Sequence, residues 1–166
     1  MNETPFVRLL TQLARHCNCD ADRLLVGERT LINGTAFRFD HDEAESPDTL
    51  LVCCEYGDLP ERQRTDAIAA LLEANMLLFF NRGSESLFSL SPEDGKVWLL
   101  ARLRLSRLTP QELSRYLAQT AEQARLWRQD HFLGPERTES AVPAERPYAL
   151  GLGASLLQTP AVRSTS

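Results

Sequence analysis

The sequence predicts an α+β fold, a twisted antiparallel sheet flanked by helices, with elements in the order helix, three strands, helix, two strands, helix. Three observations carry that prediction. Thr-Pro pairs at residues 4–5 and 109–110 each open a segment with one apolar stripe; Asn33-Gly34 and Asp94-Gly95 each sit between β-rich runs; and one long apolar segment separates the two hairpins.

Taking the elements in order, Thr4 supplies an N-cap and Pro5 an N1 residue, and Phe6, Leu9, Leu10 and Leu13 follow on one face, so the first helix is expected over residues 5–17. Residues 30–32 and 35–39 flank Asn33-Gly34, the strongest short signal for a type I′ hairpin. An acidic turn at 40–48 leads into a third strand at 49–56. That run is almost continuously apolar, which implies burial on both faces or one face offered to a partner.

The second helix is expected over residues 62–80, stopped by a left-handed cap at Asn81 and Gly83. From Ala67 to Phe80, 12 of 14 residues are apolar, and the large ones surround the helix rather than forming one stripe. Strands at 86–90 and 96–105 form the second hairpin, the latter with Val97, Leu99, Ala101, Leu103 and Leu105 on one face. Thr109-Pro110-Gln111-Glu112 then reads as a capping box, and Leu113, Tyr116, Leu117, Thr120, Ala124 and Trp127 form the inward stripe of the last helix.

A chain of 166 residues with 43% hydrophobic and 25% charged content suits one domain, placed at residues 1–132. Residues 133–166 turn to Gly, Pro, Ser, Thr and Ala and are expected to be a disordered tail. The net charge is −5, all of it within residues 1–132, and such a surface disfavours phosphate backbones, so no nucleic-acid partner is expected. No apolar run is long enough to span a bilayer, and the first residues lack the basic and apolar regions of a secretory signal, so a cytoplasmic protein with reduced cysteines is expected.

Reactive constellations are missing: there is no GxSxG, HExxH, P-loop or complete dinucleotide fingerprint. His16, Cys17, Cys19 and Asp20 lack a second ligand pair at zinc spacing, and Cys53 and Cys54 point to opposite faces of a strand. The carboxylates of Asp40, Asp42, Glu43, Glu45 and Asp48 are explained as a solvated loop, and His41 and His131 have no nucleophile beside them in sequence. No enzyme activity, metal or cofactor is expected. What remains is apolar surface, since each large side chain left in water on the second helix forgoes about 1.5 to 3 kcal/mol of burial. A second copy of the same helix is the economical cover.

This element order, with Leu71-Leu72-Glu73-Ala74-Asn75-Met76-Leu77-Leu78-Phe79-Phe80, a Gly-containing turn at 81–83 and Leu87-Phe88-Ser89-Leu90-Ser91-Pro92-Glu93-Asp94-Gly95, resembles the class I type III secretion chaperones, the family of the Tir chaperone, over about residues 5–130. The resemblance implies a homodimer joined through the second helix that holds the non-globular N-terminal segment of one or more secreted effectors by strand addition and side-chain pockets, without ATP. It places the dimer seam at Ile68, Leu72, Asn75, Met76 and Phe79, helped by the fifth strand. It places the effector surface at Phe6, Leu10 and Leu13 of the first helix and at Ile32, Ala36, Leu51 and Cys53, with Phe37, Phe39, Val52 and Cys54 on the opposite sheet face and the core face left open. The implied partners extend to the secretion ATPase or sorting apparatus. The alternative is an adaptor or regulator on the same fold that binds a folded partner.

Overall fold

A computed structural model describes residues 3–80 and 85–134. The first helix, α1 (Pro5–Cys17), starts where Thr4 Oγ1 accepts from the Val7 N–H and ends on Asn18 in the left-handed conformation. A short helix that the sequence reading lacks, α2 (Ala21–Leu25), follows, with the Asp20 carboxylate capping the Asp22 N–H and Leu24 fully buried. Five residues are too few to show a helical period, and the capping Asp20 is the one signal in the sequence that could have found this turn.

The hairpin of β1 (Thr30–Ile32) and β2 (Thr35–Asp40) turns on Asn33 and Gly34, both at positive φ as a type I′ turn requires. Beyond them come β3 (Thr49–Gly57), α3 (Arg64–Phe80), β4 (Glu85–Leu90), β5 (Val97–Arg104), a 3-10 turn at Leu105–Arg107 and α4 (Pro110–Asp130). The five strands form one antiparallel sheet in the order β1-β2-β3-β5-β4. Thr109 and Glu112 make the expected capping box at the start of α4.

The core face of the sheet is now fixed. Phe37, Phe39, Leu50, Val52, Cys54, Tyr56, Val97, Leu99 and Ala101 are buried beneath α1 and α4, whose stripes (Leu9, Leu10, Leu13; Leu113, Tyr116, Leu117, Thr120, Ala124, Trp127) point inward. Ile32 belongs to this face too. In a two-residue hairpin the flanking residues pair directly, so Ile32 faces the same way as its partner Thr35 rather than with Ala36. The β2–β3 loop is tied to the end of β5 by Asp48, whose carboxylate accepts from the Ser106 N–H (2.7 Å) and hydroxyl (2.8 Å).

The stop read at Asn81 and Gly83 lies outside the described residues, as does the tail beyond residue 134. Among the described residues no helix is long and apolar enough to cross a membrane.

Candidate functional site

Two surfaces carry unsatisfied binding capacity, and each follows from how the local sequence folds. The first is the outer side of α3. Its apolar residues divide into two stripes: Ala67, Leu71, Ala74 and Leu78 are buried, packing the helix beside β4, while Leu72, Met76, Phe79 and Phe80 are 63%, 54%, 81% and 68% exposed. On β4, Leu87 and Leu90 are exposed as well, a pair that the sequence reading did not assign. Ile68 is half-buried against the core.

Asn75, expected in the seam, reaches across to β4. Its Oδ1 accepts from the Phe88 N–H at 2.6 Å and its Nδ2 donates to the Phe88 carbonyl at 3.1 Å, so both amide groups are engaged within the subunit. Sequence alone cannot show this, because the bond joins residues on two elements whose packing only the fold defines.

The second surface is the sheet face turned away from α1 and α4, together with the edge at β1, which is free among the described residues. Strand register places Leu31 and Ala36 in one cross-strand row with Glu55, Trp98 and Ser89, and Arg38, Cys53, Leu100 and Leu87 in the next. Leu51 faces Arg102 beyond them. Leu31 is 72% exposed, and Val26, near β1, is exposed too. Because Ile32 and Thr35 form the pair that closes the two-residue turn, antiparallel alternation aims the Leu31 N–H and C=O outward, along the free edge of the sheet. Polar groups frame this surface: Glu55 is paired with both Arg29 and Lys96, the Arg29 guanidinium lies 5.5 Å from the centre of the Trp98 ring, and Arg38 pairs with Asp40 at 2.9 Å.

Of the seven residues expected on the effector surface, three lie in the core. Leu10 (0% exposed), Leu13 (0%) and Ile32 (4%) belong to the core, because α1 has one apolar stripe and the domain needs it to cover the sheet. Phe6 is half-buried and stacks on the His41 ring at 4.8 Å, while Ala36 and Leu51 are half-buried on the outer sheet face. Cys53 also lies on that face, buried among its neighbours.

Several of the groups with reactive potential are occupied in structural work. His41 Nδ1 lies 2.9 Å from the Thr49 carbonyl; Asp42 Oδ1 accepts from the Ala44 and Glu45 N–H groups, closing the acidic turn. Burial pushes the Cys53 and Cys54 thiols up, so at neutral pH both are protonated and act as small apolar groups. Burial also pushes the Tyr116 hydroxyl up to about 12. Among the described residues no three His, Cys, Asp or Glu side chains are grouped to hold a metal ion.

An apolar helix side and an open strand edge on one small α+β domain define a protein-binding module. The particular family follows from comparison: the model of the Tir chaperone protein (CesT) family matches residues 8–128, and the chain belongs to that family, making it a class I type III secretion chaperone. No curated protein matches it. Among solved structures, a chain of the HopA1–SchA chaperone–effector complex is similar at 18% identity and TM-score 0.56, over 75% of this chain and 94% of that one. A chain of the ExsC–ExsE complex is similar at 18% identity and TM-score 0.58, over 83% of this chain and 100% of that one.

Proposed function

We propose that this chaperone works in the bacterial cytoplasm as a homodimer joined across the outer stripe of α3, and that it binds the non-globular N-terminal region of one or more effectors, keeping them soluble and competent for secretion. The observation that carries the cargo reading is the free edge at β1, where the outward Leu31 N–H and C=O stand beside an apolar row on the outer sheet face. An extended chain added there gains main-chain hydrogen bonds from the edge and side-chain contacts from Leu31, Ala36 and Leu51.

The dimer reading is supported by Leu72, Met76, Phe79 and Phe80, whose exposure leaves on the order of 1 to 2 kcal/mol of unrealised burial each. An isologous pairing of α3 with its copy would cover all four at once. Ile68 and Asn75, the other two residues of the proposed seam, are half-buried beside this stripe, and the Asn75 amide is bonded within the subunit. The secretion ATPase or sorting apparatus would be the recipient of the loaded complex.

Co-expression with N-terminal fragments of candidate effectors, followed by limited proteolysis, tests the cargo reading. Protection of an extended segment that is cleaved when free is the expected result. Protection confined to a folded domain of the partner would replace the reading with that of an adaptor on the same fold, and absence of any complex would end it.

A further inference from the structure

We propose that Asn75 closes the β4 edge of the sheet, its side-chain amide standing in for the next strand, so that chain addition is confined to β1. The closure itself is independent of the cargo reading; only its role in directing cargo to β1 rests on that reading.

The geometry is that of a strand neighbour reduced to one side chain. Phe88 pairs with Leu99 of β5. Its own N–H and C=O are instead engaged by Asn75, one donor and one acceptor, at 3.1 and 2.6 Å. This is the arrangement an adjacent strand would offer at that position. A helix interior is a poor place for Asn, which is a weak helix former. The buried stripe of α3, Ala67, Leu71, Ala74 and Leu78, packs without any polar group, so an apolar residue at 75 would serve helix packing better.

Without the amide, β4 has the features that invite pairing with another chain. Leu87 and Leu90 are exposed, and its six residues include one charge, Glu85, and neither lysine nor proline. Closure at Phe88 interrupts the row at its middle, which is enough to deny an incoming strand continuous pairing.

The test uses the full chain without cargo. Asn75→Leu should speed hydrogen exchange at the Phe88 amide by about tenfold or more, as expected for loss of one hydrogen bond. It should also produce species larger than the wild-type oligomer that grow with concentration in sedimentation. Adding Ser89→Lys, a charge on the strand itself, should return the wild-type mass while leaving Phe88 exchange fast. Asn75→Ala removes both the donor and the acceptor without adding bulk, and should behave in the same way if the leucine variant does not fold. Unchanged exchange at Phe88, faster exchange with no new association, or association that Ser89→Lys does not reverse would each overturn the proposal. Because no effector is present, a chain that fails to bind effectors yet gives these results would refute the cargo reading alone.

Discussion

The two ends of the sheet are built from similar material and finished differently. β1 and β4 are short strands, each with exposed leucines, yet Leu31 offers its backbone outward while the corresponding groups of Phe88 are held by Asn75. The difference comes from what lies alongside: α3 runs beside β4, whereas α1 and α4 pack beneath the sheet. An edge strand is thus made available or unavailable by one side chain on a neighbouring helix, and two edges of one sheet can be assigned to different tasks.

The most damaging change to this division should be on the α3 side. Met76→Asp with Phe79→Asp places two charges in the proposed seam and should weaken self-association by about a hundredfold or more, read by sedimentation equilibrium, with the fold retained by circular dichroism. An unchanged oligomer would mean that α3 is not the seam. At the other edge, Leu31→Pro removes an N–H that makes no ladder bond with any described strand. Effector affinity should fall by up to about tenfold in calorimetry, with little loss of thermal stability. If affinity were untouched, the two edges would not differ in function.

A smaller effect separates stability from binding. Thr109→Ala removes the cap of α4, far in sequence from either edge, and should cost about 1 kcal/mol in denaturant unfolding without altering effector affinity. The smallest effect is that of Asp48. Hydrogen bonds from Ser106 hold its carboxyl below the ordinary value of 3.8. A carboxyl depressed in the folded state stabilises the protein fully above that ordinary value, and the contribution is lost as the pH falls through the depressed one. Wild type should therefore lose stability more steeply than Asp48→Asn on acidification below about pH 4, as followed by acid titration of the unfolding midpoint.

Much of the fold was legible because local signals agreed with one another. Thr4-Pro5 and Thr109-Pro110 cap helices, Asn33-Gly34 makes the turn its residues require, and the alternation in β5 sorts Val97, Leu99 and Ala101 inward. The candidate site was less legible for three physical reasons. The face of Ile32 depends on pairing across a turn, not on its own alternation. An apolar stripe such as Leu10 and Leu13 signals burial, and nothing in its spacing distinguishes an internal cover from an external partner. The composition of α3 required cover on several sides, but the division into an inner stripe, an outer stripe and an edge-closing Asn75 emerges only when β4 is packed beside it.

The two tryptophans fall on opposite sides of the same sheet, Trp127 fully enclosed in the core and Trp98 half-buried on the outer face beneath Arg29. The protein therefore carries two intrinsic fluorophores with separate duties. Emission from Trp127 follows the integrity of the fold, and emission from Trp98 follows whatever occupies the outer face of the sheet, so single-tryptophan variants would let one instrument time the arrival of a ligand and the loss of structure independently.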